Sequence, residues 1–98
     1  MHYAHKSAIS RDEAETLALS ALRFLASDPA LWSRFEALTG VDAASVRRLA
    51  AEPDFLAGVL EFLLQHESAL LVFCAHEDIA PERPARAHRL LSGGAYGA

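Results

Sequence analysis

Cys74 is the single cysteine of the 98 residues, so no disulfide can form within the chain, which suits a reducing compartment. Long apolar runs are missing too. The longest, Ala69 to Ala75, falls far short of the roughly 20 residues that span a bilayer. No apolar segment follows the charge of Met1-His2-Tyr3-Ala4-His5-Lys6, so the start does not read as a secretory signal. No membrane association is expected, and the expected location is cytoplasmic. Val, Ile and Thr together number eight. That scarcity argues against a sheet, which draws on β-branched residues. Positive charge is absent from a long stretch. No Lys or Arg occurs between Arg48 and Arg83, while that stretch holds Glu52, Asp54, Glu61, Glu67, Glu77 and Asp78.

What is present is alanine and leucine, twenty and fifteen of them, in a chain that is 52% hydrophobic. That composition excludes disorder and favours helix, where Ala and Leu lose least. The length suits one domain with one core. The expected class is all-α: five to six short helices packed around a central apolar helix at about 53–65. Residues 1–9 read as a flexible arm, 10–92 as the domain and 93–98 as a disordered tail.

The boundaries follow from local chemistry. Ser10 and Glu13 have capping-box spacing ahead of a stripe of Ala14, Leu17, Ala18, Ala21, Phe24 and Leu25, which predicts a helix over 11–27. Asp28-Pro29 stops that helix and starts the next, 29–39, with Leu31, Trp32, Phe35 and Leu38 inward and Gly40 as the left-handed terminator. Asp42 caps 43–51, whose inward face is Val46, Leu49 and Ala50. Glu52-Pro53 repeats the stop-start device. The helix it opens is apolar over more than half its circumference, Glu61 being its one charge from Phe55 to Leu64. Such a helix is surrounded on several sides. A fifth helix, 67–77, buries Leu70, Leu71, Phe73 and Cys74. A sixth, 81–92, carries Ala87, Leu90 and Leu91, has Pro84 in its first turn and ends at Gly93-Gly94.

Chemistry-bearing patterns are weak by comparison. Helix 29–39, the Thr39–Asp42 turn and helix 43–51 have helix-turn-helix proportions. Ser45, Arg47 and Arg48 would then face a major groove. The chain's net charge of −4 opposes this, because non-specific affinity for DNA comes from neutralised phosphates. Nucleic acid is the lesser reading. His2 and His5 lack a third ligand nearby, and Cys74 and His76 fall on different helical faces. His66 and His76 sit at helix ends, where imidazoles cap carbonyls. No metal or other cofactor is expected. A half-buried Glu61 would have a raised pKa and catalytic potential, but a Glu61 on the narrow polar side is the simpler expectation. No catalytic residue is assigned, and an enzyme is not expected.

Two features point to a partner. Arg83, Arg86 and Arg89 form a basic stripe that could dock on the acidic body or grip another protein. Leu19 lies on the polar side of its helix and Leu64 at the edge of its own, which makes surplus apolar surface. The leading expectation is a non-enzymatic interaction or small regulatory module, its partner an unidentified protein or a second copy in a homodimer. Certain runs also resemble a known family. These are Ala21-Leu22-Arg23-Phe24-Leu25-Ala26-Ser27-Asp28-Pro29, Arg34-Phe35-Glu36-Ala37-Leu38-Thr39-Gly40-Val41-Asp42 and Phe55-Leu56-Ala57-Gly58-Val59-Leu60-Glu61-Phe62-Leu63-Leu64. Together they resemble a small, mainly alphaproteobacterial family of helical proteins catalogued only as a domain of unknown function. The resemblance covers roughly 13–91. It implies a bacterial cytosolic protein with a compact helical fold and brings no activity, cofactor or site residue.

Overall fold

The structure is a computed structural model that describes residues 9–93. Those residues form six α-helices and no strand: α1 Arg11–Ala26, α2 Pro29–Thr39, α3 Ala43–Leu49, α4 Pro53–Leu64, α5 Glu67–Glu77 and α6 Glu82–His88, the last continuing as a π-helical turn, Arg89–Gly93. The arm residues 1–8 and the tail residues 94–98 lie outside the described residues. Ile9, at the end of the expected arm, is half-buried and packs on the core.

The helix starts are made by the residues that predict them. The Ser10 hydroxyl accepts from the Glu13 amide at 3.1 Å while the Glu13 carboxylate accepts from the Ser10 amide at 2.9 Å, a complete capping box. Asp28 accepts from the amides of Ala30 and Leu31, and Pro29 supplies the first helical residue without needing an acceptor. Gly40, at φ +75°, ends α2 in the left-handed region that costs glycine nothing. Asp42 caps α3 through the Ser45 amide at 2.9 Å. Asp78 ends α5 at φ +58°, a conformation that Asp tolerates better than most non-glycine residues.

α4 is the central helix. Leu56, Ala57, Val59, Leu60, Phe62 and Leu63 are all buried. It packs against α1, α5, α6 and the π-turn, and α1 in turn packs against α2 and α6. Phe35 from α2 is fully buried and meets Phe55 and Phe62 edge-on, with ring centroids 6.1 and 5.4 Å apart. Edge-to-face geometry suits the ring quadrupoles. Phe73 of α5 closes the other side against Phe24 at 5.4 Å. No single helix among the described residues is long and apolar enough to cross a membrane. α4 and α5 reach that length only together, and they are bent by 109°.

Four expectations need correction. Leu38 is 66% exposed, because the last turn of α2 runs past anything that could cover it. Leu71 is 48% exposed, because α5 packs on one side only and its buried arc is Leu70, Phe73 and Cys74. Val46, Leu49 and Ala50 are half-buried rather than inside, and α3 holds no buried residue. The final helix is α only to His88. There the Ser92 hydroxyl bonds the His88 carbonyl at 2.7 Å, competing with the backbone bond an α-helix would make, and the turn widens.

Candidate interaction groove

α1, α2 and α3 enclose an open groove of about 390 Å³. Its apolar floor is Leu19, Leu22, Ala26, Trp32, Ala43 and Val46. The volume is within the range of roughly 300–1,000 Å³ usual for binding clefts. The cause is the loose seating of α3. α3 has only seven residues and none of them is buried, and Leu19 at the rim is 40% exposed. Leu19, Leu22, Arg23 and Ala26 recur at i, i+3, i+4 and i+7 and so share one face of α1. Ala43, Val46, Arg47 and Ala50 repeat the pattern along α3. Both walls carry apolar residues, and Arg23 on the α1 wall is the one charged residue among those lining the groove. Arg23 lines the groove and Arg47 follows Ala43 by one turn. Among the described residues neither arginine has a carboxylate within ion-pair distance.

Two nearby carboxylates are committed to helix caps. Asp28 and Asp42 cap α2 and α3. The hydroxyl and amide of Ser45 lower the Asp42 pKa by bonding its carboxylate, so the N-terminus of α3 carries a fixed negative charge. This charge bears on the helix-turn-helix reading. Arg47 and Arg48 are exposed and Ser45 is half-buried, but the end of α3 that would approach a phosphate presents Asp42.

The remaining singled-out residues do not gather at the groove. Leu64 is half-buried and packs on the core. Arg83 pairs with Glu13 of α1 at 3.5 Å. The Ser10 amide, more than Arg83, lowers the Glu13 pKa. Arg86 is half-buried and Arg89 exposed. Glu61 faces outward and meets His88 of α6 at 3.4 Å. The last helix therefore docks on α1 and α4. His66 Nδ1 donates to the Phe62 carbonyl, 2.7 Å away, and the imidazole stacks on the Phe62 ring. Cys74 is 3% exposed. Burial, and secondarily the charge of Glu82, pushes its thiol pKa up. Among the described residues no three His, Cys, Asp or Glu side chains gather as a metal set.

Residues 11–94 match the model of the family DUF3572, described as a protein of unknown function. The chain belongs to that family. No curated protein and no solved structure matches it significantly. The matched span of the DUF3572 chain covers all six helices and both walls of the groove. Sequence reading marked Leu19 as out of place but missed the groove. The signal available was the repeat of one apolar-plus-arginine spacing at 19–26 and 43–50.

Proposed function

We propose that this DUF3572 chain is a non-enzymatic interaction module that seats a helical segment of a protein partner in the α1–α2–α3 groove. The observation that carries the reading is the groove itself: open, apolar-floored, walled by two helices and containing the half-exposed Leu19. An apolar recess between helices is what an amphipathic helix with i, i+3, i+4 and i+7 anchors fills. The one charged side chain lining it is Arg23, whose guanidinium offers hydrogen-bond donors and no acceptor.

Trp32 is the sole tryptophan and lies in the groove, so its fluorescence reports occupancy. The probe is an uncharged amphipathic peptide of about 18 residues with leucines at those spacings, long enough to be helical. A saturable shift of Trp32 emission that Leu19→Asp abolishes supports the reading. The absence of any shift up to about 1 mM peptide, weaker than a 1 mM dissociation constant allows, contradicts it.

A further inference from the structure

Leu71 and Val72 stand exposed on the outer arc of α5, but the α1–α2–α3 groove is an apolar surface that is both recessed and marked by a charge. That charge is Arg23. The other residues lining the groove are apolar, and none is acidic. Arginines elsewhere on the chain meet carboxylates: Arg11 stands 3.9 Å from Glu15 and Arg83 3.5 Å from Glu13. Among the described residues the Arg23 guanidinium has neither an ion pair nor a hydrogen bond. On its far side Arg23 borders a second hollow with Ser20, Phe24, Ser27, His76 and Glu77. Glu77 there meets His76 at 3.5 Å and does not come within ion-pair distance of Arg23. Asp28 and Asp42 are held by the amides that they cap. Guanidinium donors thus stand at the edge of an apolar recess with no acceptor among the described residues.

We propose that Arg23 selects the partner: the helix that the groove seats carries a carboxylate beside its apolar stripe, on the edge that lies against α1. The inference rests on the reading of the groove as a helix seat and adds the charge of the occupant. A guanidinium holds a carboxylate through two parallel N–H···O bonds, which fixes direction as well as sign. A cationic flank on the partner is repelled by Arg23 and meets no acid in the lining. A neutral partner covers the apolar floor but strips water from the guanidinium without supplying an acceptor. Arg23 is exposed in the free chain, so its pairing contributes what exposed ion pairs contribute at their upper end, about fivefold in affinity. Arg23 also lies in the last turn of α1, where a cation suits the negative end of the helix dipole. That structural role bears on the stability of the free chain and is indifferent to the charge of a peptide, so experiment separates the two roles.

The test titrates Trp32 fluorescence of the full chain with the uncharged leucine peptide and with versions that carry one Glu, or one Lys, beside the leucine stripe, at either end and on either edge. Circular dichroism checks the fold of each variant and the helicity of each peptide, which charge placement also affects. At about 50 mM salt a Glu version is expected to bind about fivefold tighter than the uncharged peptide, and its Lys counterpart more weakly. Arg23→Gln should erase the difference while leaving the uncharged peptide bound as before, and Arg23→Lys should restore part of it. Raising the salt to about 1 M should erase it in wild type. Glu and Lys versions bound alike by wild type overturn the proposal and leave the helix seat standing. A Glu preference that survives Arg23→Gln does the same. No shift with any of the peptides takes away the helix seat, and this inference with it.

Discussion

Leu60 is the place to weaken this fold most with one change. It is fully buried in the middle of α4, the helix packed against α1, α5, α6 and the π-turn. Truncation to alanine keeps the helix propensity and removes the packing. Leu→Ala at such sites costs about 2–5 kcal/mol, the spread depending on how far the site collapses. With helices on several sides collapse is limited, so about 3–4 kcal/mol is expected. Domains of this size have stabilities of roughly 5–15 kcal/mol, so the variant should still fold. Its melting temperature should fall by about 12–30 °C, at roughly 4–8 °C per kcal/mol for a small domain. Urea unfolding followed by circular dichroism gives the comparison directly, with an unchanged slope showing that only stability moved. Leu38→Ala is the control, since Leu38 is 66% exposed and should change stability by no more than about 0.5 kcal/mol. Equal losses for the two variants would refute the placement of α4 at the centre.

Three further outcomes are expected. Gly40→Ala should cost about 1–2 kcal/mol by urea unfolding, purely from the backbone, because φ is +75° and an added Cβ meets nothing within 4 Å; an unchanged midpoint would mean that α2 ends differently. The Glu13 and Asp42 pKa values are lowered by hydrogen bonds to their carboxylates, so the stability they add is present above the ordinary carboxylate pKa of about 4 and is lost as pH falls through their lower folded values. The urea midpoint of Glu13→Gln should therefore lie below wild type at neutral pH and converge with it by about pH 2, and a gap that persists in acid contradicts this. Cys74 should resist a thiol-disulfide reagent at pH 7 in the folded chain and react fully in denaturant, because it is buried and its pKa is raised. Rapid labelling of the native chain would place it elsewhere.

Helix boundaries were legible because their causes are local. Ser10 with Glu13, Asp28 with Pro29, Gly40 and Asp42 each act within a few residues, and each does what its spacing implies. The central helix was legible because α4 is apolar over too wide an arc to face water. Leu38 and Leu71 were misread because periodicity tells which residues share a face but not whether another element covers it. The widened turn at Arg89–Gly93 depends on a hydroxyl-carbonyl bond at Ser92 that a helical stripe does not reveal. The groove was least legible of all, being a gap left by a short helix that seats loosely. Leu19 pointed to it only as an apolar residue on a polar side.

The claim that matters most is that a helix seats between α1 and α3. Isotope-edited NMR of the full chain, with the leucine peptide added, tests it directly. The predicted result is a set of amide shifts at Leu19, Leu22, Arg23, Ala26, Ala43 and Val46, together with the Trp32 indole. Shifts confined to the outer arc of α5, or to Leu38, would contradict it.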